Sequence, residues 1–386
     1  MEVSTPWAVR YLELMRFVPV LLLFASLTAG AQQSVPDSGL LRSALAAQQS
    51  GHNQTAIREY EQYLKLYPGM AEARANLGVL LVHEGRYSEA IEQYRLALQA
   101  LPDNAAIRKN LGLAYFKKGD LKDARIELKK VHEALPHDVQ IAILLGDCDM
   151  RLGKATEAVA MLLPMEPENK ANTDFEYVLG TALMATGKPR DGVRRVEEVA
   201  RKTNSASAYF MAGTTRMDLD DYQHAQPDLQ AALKLNPDLP RIYELTGMAD
   251  DMNGDSADAE PLLRKAIEQN PDSFKSNLYL GAILLKQRKM AEAKTYLSRA
   301  SQLKPTNPTA GYELAMWNST SGNYATAAKI LEALVKANPN WLQPHVELAM
   351  VYYRLKNFAA GEKERAIVVK LKAAQQKAGP PKTQLP

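Results

Sequence analysis

One interval governs the chain. The pair Leu77-Gly78 returns 34 residues later as Leu111-Gly112, then as Leu145-Gly146 and Leu179-Gly180. After one step of 33 the series continues through Ala212-Gly213, Thr246-Gly247, Leu280-Gly281, Leu314-Ala315 and Leu348-Ala349. A small residue twelve places further on keeps the same interval: Ala90, Ala124, Ala158, Gly192, Ala225, Ala259, Ala293, Ala327 and Gly361. A closing proline does so at 68, 102 and 136, and again at 237, 271, 305 and 339. A chain with this interval does not fold around one central core. Each segment exposes more apolar surface than it can bury alone, and stacking on the next segment covers it.

The residue types follow from that stacking. Between Leu77 and Pro102 the apolar residues recur at helical spacing, with Gly85 dividing two short runs. A small residue at 78, 112 or 146 lets two helices of one unit approach closely. The alanine at 90, 124 or 158 sits at the crowded contact with the next unit, and Tyr94, Leu128, Leu162, Leu229 and Leu263 fill the space between. Gly85, Gly119, Gly153, Gly187, Gly254 and Gly322 fall where a helix must end in a positive-φ turn. The prolines cannot continue a helix interior, so they separate one unit from the next.

The pattern of Leu-Gly, Tyr, Gly, Ala, aromatic, Ala and Pro is carried most completely by residues 71–104 and 105–138, and it resembles that of the tetratricopeptide-repeat (TPR) proteins. The resemblance implies an all-α, right-handed α-solenoid of ten helix-turn-helix units: 37–70, 71–104, 105–138, 139–172, 173–205, 206–239, 240–273, 274–307, 308–341 and 342–373. The fourth unit departs from the pattern, with Pro167 where proline is due at 170, and the fifth has Asn204. LLPMEPENKANTD, residues 162–174, therefore reads as a bend between an N-terminal block, 37–172, and a C-terminal block, 173–373. The last unit has Gly361 and Arg365 in place of the alanine and the large residue, as suits a capping unit that meets water.

Residues 1–31 form a different segment. Arg10 and Arg16 precede an apolar run from Phe17 to about Thr28, followed by Ala29-Gly30-Ala31. This predicts a cleavable signal peptide cut after Ala31, and an exported, periplasmic or secreted protein. The competing reading is an uncleaved signal that tethers the chain to the membrane. The apolar run is about a dozen residues, whereas a spanning helix needs roughly 20. Residues 32–36 read as a linker, and 374–386 as a polar, disordered tail. Cys148 is the one cysteine, so an intrachain disulfide is excluded, and it reads as a small buried hydrophobe. Lys and Arg total 47 against 44 acidic residues, with no basic block, which disfavours nucleic acid as a partner.

Ten units leave no room for a separate catalytic domain. The sequence contains no H-E-x-x-H, C-x-x-C, G-x-S-x-G or G-x-x-x-x-G-K. The chain reads as a non-enzyme without cofactor or metal. His132 and His137 lie five apart around Pro136, a poor metal geometry. Asp251-Met252-Asn253-Gly254-Asp255 resembles the start of a calcium loop, but its glycine stands fourth rather than sixth and its twelfth residue is Leu262. It reads as an inter-helix turn with an acidic rim, together with Asp250, Asp258, Asp218, Asp220 and Asp221, a rim that favours a basic partner.

In the family resembled, first helices line a concave groove with the second, fifth, ninth and twelfth places of each unit. Here those places offer Phe116, Met150, Tyr177, Met184, Phe210, Met217, Met248, Tyr312, Met316, Met350 and Tyr353. Flexible thioethers beside aromatics suit an extended or helical apolar segment. The competing reading has several of them buried between neighbouring helices. The family's carboxylate clamp is missing, because Val79 and Leu113 stand where its second asparagine belongs. The expected function is a protein-interaction scaffold or adaptor in a bacterial cell envelope, with other proteins or peptide segments as partners. The alternatives are a holdase-like periplasmic chaperone and a non-catalytic subunit of a larger envelope enzyme complex.

Overall fold

The computed structural model describes residues 39–378, which are helical throughout apart from turns. The signal peptide and linker expected at 1–36 lie outside the described residues, as do 379–386. The chain divides into two compact units, with the division between Thr203 and Asn204.

In unit 1, repeat 1 pairs α1 (Gly39–Gln49) with α2 (Asn53–Leu66), and repeat 2 pairs α3 (Ala71–His83) with α4 (Tyr87–Ala100). Repeat 3 follows as α5 (Ala105–Lys118) and α6 (Leu121–Ala134). Repeat 4 has α7 (Val139–Arg151), α8 (Ala155–Leu162), a 3-10 turn (Leu163–Met165) and the short α9 (Glu166–Asn169). Repeat 5 is α10 (Thr173–Ala185) and α11 (Pro189–Thr203). Unit 2 holds repeat 6, α12 (Ala206–Asp218) and α13 (Tyr222–Leu235), and repeat 7, α14 (Ile242–Asn253) and α15 (Ser256–Gln269). Repeat 8 is α16 (Phe274–Lys286) and α17 (Met290–Leu303), and repeat 9 is α18 (Pro308–Thr320) and α19 (Tyr324–Ala337). Repeat 10 closes the series with α20 (Leu342–Arg354) and α21 (Phe358–Ala378). The last helix thus continues through 374–378, which the sequence assigns to the tail.

Close approach within each pair explains the small residues. A Cβ on Gly78 would stand 2.6 Å from the Tyr94 ring, and one on Gly192 only 2.3 Å from the carbonyl oxygen of Gly180. The alanines at 90, 124, 158, 225, 259, 293 and 327 are fully buried, as are Leu128, Leu162, Leu229 and Leu263. Gly119 ends α5 at φ 92°, in the left-handed turn expected of it. Repeats 6, 8 and 10 make the same turn without glycine, holding Asp220, Arg288 and Lys356 at φ 57°, 63° and 59°.

First helices also start on a device that the proline interval hides. Asn104, Asp138, Asn172, Ser205, Ser273 and Asn307 each cap the following helix by accepting a backbone N–H bond. A second device recurs at the fourth place. Arg74 donates to Pro68 O (2.7 Å) and to Gln93 (2.8 Å), and Arg108 donates to Pro102 O and to Glu127 (2.6 Å). Asn277 and His345 reach Pro271 O and Pro339 O at 3.0 Å in the same way.

The bend expected at 162–174 is a broken second helix. α8 has 8 residues where α4 and α6 have 14, because Pro164 removes a helical N–H donor and Pro167 follows. Arg195 of α11 ties the loosened segment down, 2.5 Å from Glu166 and 3.4 Å from Glu176.

Candidate partner-binding surface

In unit 2 each first helix touches the first helix of the next repeat, so their side chains form a continuous surface there, whereas in unit 1 such contacts join repeats 2 and 3 and repeats 4 and 5. The candidate residues divide on it.

In unit 1, Phe116 and Tyr177 are buried, and the guanidinium of Arg151 lies over the Phe116 ring at 5.4 Å. Met150 is half-buried. Met184 is half-buried and packed toward its own second helix, since a Cβ on Gly192 would meet its Cγ at 2.5 Å. None of these four candidate residues of unit 1 is exposed.

Unit 2 keeps more of it. Met248 is buried in the core formed with Leu263, Leu280 and Ile283. Met217 and Met316 are half-buried against that core, and Phe210 packs beside Tyr209 near Ile242. The Tyr312 ring leans on Trp341, 5.3 Å between centroids, and burial pushes its phenol up to about 12. Met350 is open, at 51 % exposure. Tyr353 lies against Phe358 and donates to Glu362 (2.8 Å), so it belongs to the closing pair of helices. Phe116, Tyr177 and Met248 are thus corrected from groove residues to core residues. Their places sit at the edge of the helix-to-helix contact, where a large apolar side chain turns inward rather than facing water.

Acids border this apolar surface. Glu244 is buried, accepts the Ser276 hydroxyl (3.0 Å), the Ser273 hydroxyl and the Arg241 guanidinium (2.6 Å), and is held below the usual carboxylate range by those bonds against the opposing effect of burial. Glu347 accepts from Ser319 (2.6 Å), and the half-buried Glu313 carboxyl is pushed up by burial. Lys286 reaches Asp251 at 3.7 Å. Glu244 and Asp251 occupy the fifth and twelfth places of repeat 7, and Glu313 and Glu347 each stand one place after the fifth in repeats 9 and 10.

Unit 1 has a buried acid of its own. Asp147, 4 % exposed, has one oxygen without a hydrogen-bond partner, and burial pushes its carboxyl up to about 7. The adjacent Cys148 is fully buried and its thiol is pushed up, first by burial and then by Asp147 and Asp149. That places Cys148 in the core, without thiolate character. Gly254 terminates α14 at φ 101°, which makes 251–255 a turn. Among the described residues no three His, Cys, Asp or Glu side chains converge on a metal position, and no helix is long and apolar enough to cross a membrane.

Family models described as tetratricopeptide repeat match residues 41–105, 81–131, 206–239 and 252–315. No curated protein matches the chain. Among solved structures, a tetratricopeptide repeat protein from Parabacteroides merdae is similar at 17 % identity, covering 64 % of this chain and 98 % of that one, with a TM-score of 0.44. YrrB, described as a TPR protein with an unusual peptide-binding site, is similar at 20 % identity over 50 % of this chain and 97 % of its own, TM-score 0.43. MamA is similar at 23 % identity over 44 % of this chain and 94 % of its own, TM-score 0.39.

Proposed function

We infer that this chain, which belongs to the tetratricopeptide-repeat proteins, holds a segment of another protein on the first-helix surface of its unit 2. Proteins of this family bind other proteins or peptides, and their fold is generally a non-catalytic scaffold. The observation that carries the finer reading is the exposure of Met350, at 51 %, on the first helix that touches the one holding half-buried Met316 and Tyr312, with Glu313 and Glu347 on the same two helices. A flexible thioether surface adapts to an apolar helix or strand, and the acids favour lysine or arginine at its margin. The address proposed is a bacterial cell envelope, supported by Arg10 and Arg16, the short apolar run and Ala29-Gly30-Ala31.

The test is capture from an envelope extract with the chain from Gln32 and with a Met350→Glu, Met316→Gln variant. Recovery of one partner at fixed stoichiometry, lost in the variant, supports the scaffold. Equal recovery by both proteins contradicts the surface assignment. A second reading, a chaperone for many exported chains, draws on the same adaptable methionines, and it requires many unrelated unfolded chains to be lost together.

A further inference from the structure

Two repeats place an aspartate at the same point of the first helix and treat it differently. In repeat 4, Asp149 is 3 % exposed and Arg125, from the second helix of the repeat before, donates its Nε–H to it. The backbone N–H of Lys154 closes the turn on the carbonyl of Asp149 (2.7 Å). In repeat 7, Asp250 occupies the register of Asp149, and the backbone N–H of Asp255 closes the same turn on its carbonyl (2.8 Å). Gln226 stands at the register of Arg125, and Asp255 at that of Lys154. Both basic residues are gone.

The Asp250 carboxylate is 1 % exposed; its Oδ1 accepts from Gln230 (2.9 Å), and its buried Oδ2 has no hydrogen-bond partner. The Gln226 amide beside it donates to Asp255 Oδ2 (2.7 Å) and accepts from Asn253. Burial pushes the Asp250 carboxyl up, Asp258 and Asp255 push it the same way, and the Gln226 and Gln230 amides oppose them. A nearby cation would favour the ionised carboxyl and so offset the burial and the two neighbouring acids.

We propose that this place receives a guanidinium: an arginine of a partner protein enters beside Gln226 and pairs with Asp250 and Asp255, as Arg125 pairs with Asp149 in repeat 4. Repeat 4 shows that a guanidinium reaches a buried carboxylate at this register from the surface. The planar Gln226 amide already lies between the two carboxylates, and a guanidinium offers the same plane with more donors and a full charge. The three-ligand convergence that a metal needs is not found among the described residues. The arginine's origin in a partner protein rests on the scaffold reading; the chemistry of the place does not.

The test uses the full chain with acetyl-arginine-amide, and with acetyl-citrulline-amide as the uncharged isostere. Wild type is expected to bind the arginine probe about tenfold more tightly than citrulline, the scale of one charge-assisted pair. Asp250→Asn removes that preference. Gln226→Arg fills the place from within, so it abolishes probe binding and raises Tm, but raises it only where Asp250 is present. Equal binding of the two probes, an unchanged preference in Asp250→Asn, or a Tm that falls in Gln226→Arg overturns the proposal. Competition by calcium chloride at equal concentration also overturns it, in favour of a metal site. Because the probe is a small molecule, this result stands apart from the capture experiment.

Discussion

Repeats 4 and 7 share a backbone plan and differ in how they neutralise buried acid. Repeat 3 supplies Arg125 to Asp149 of repeat 4 from inside the chain, whereas Asp147 is buried with one oxygen unpartnered and its carboxyl pushed up to about 7. Repeat 7 has Met248 at the register of Asp147, so its core there is apolar, but it leaves Asp250 without a cation. Register fixes where a side chain goes, and the local partner decides what that place costs. The difference teaches that a repeat array can carry a closed latch and an open one at equivalent points without disturbing the stacking.

The largest expected loss of stability follows from breaking the closed latch. Arg125→Met strands the Asp149 charge in the core and is expected to cost about 3 kcal/mol of stability in urea unfolding. Gln226→Met, at the open latch, is expected to cost about 1 kcal/mol, since it removes one bond to the exposed Asp255 carboxylate and one to Asn253 and strands no charge that was paired with a cation. Similar losses for the two variants would erase the distinction between the repeats.

Next comes Asp147. Its folded carboxyl is raised from the ordinary 3.8 to about 7, first by burial and with Arg151 of its own helix opposing; Tyr177 of α10 faces it from the next repeat. A raised acid contributes stability that is complete below about pH 4 and is lost as pH rises through 7. Asp147→Asn lacks this dependence. It is expected to exceed wild type by about 4 kcal/mol at pH 8 and to converge with it near pH 4, read from denaturant midpoints across that window. Parallel curves would show the acid to be solvated in solution.

A further effect should be the same in both repeats. Gly153 and Gly254 hold the inter-helix turns at φ 72° and 101° with open space around them. Alanine at either is expected to cost about 1 kcal/mol, the strain of a left-handed backbone. Unequal losses would mean that the two turns are not equivalent, which would weaken the register argument. Arg288→Gly, at the turn of repeat 8, should gain a similar amount, checked by the same unfolding measurement.

Much of the fold was legible because the stacking contact is repeated: Leu-Gly, the packed alanine and the closing proline report one geometry many times. The turns of repeats 6, 8 and 10 were less visible, since Asp220, Arg288 and Lys356 accept the strained φ that glycine marks elsewhere. The broken helix of repeat 4 was visible as Pro164 and Pro167, although its extent depends on the Glu166–Arg195 pair 29 residues apart. The candidate surface was legible by place but not by orientation. Phe116 and Met350 occupy groove places in their repeats, yet one is buried by a neighbour and the other is open. The latches escaped a linear reading because Arg125–Asp149, Gln230–Asp250 and Gln226–Asp255 cross from one repeat into the next, a pairing that appears only when registers are superposed.

The claim that unit 2 presents the binding surface is tested most directly by a photo-crosslinking side chain placed at Met350, with a matched one at Ala333, an exposed position on the second helix α19 of repeat 9. Crosslinks to one partner segment from position 350 and none from 333 are the predicted result. Adducts from 333 with none from 350 would contradict the account and move the binding surface to the second helices.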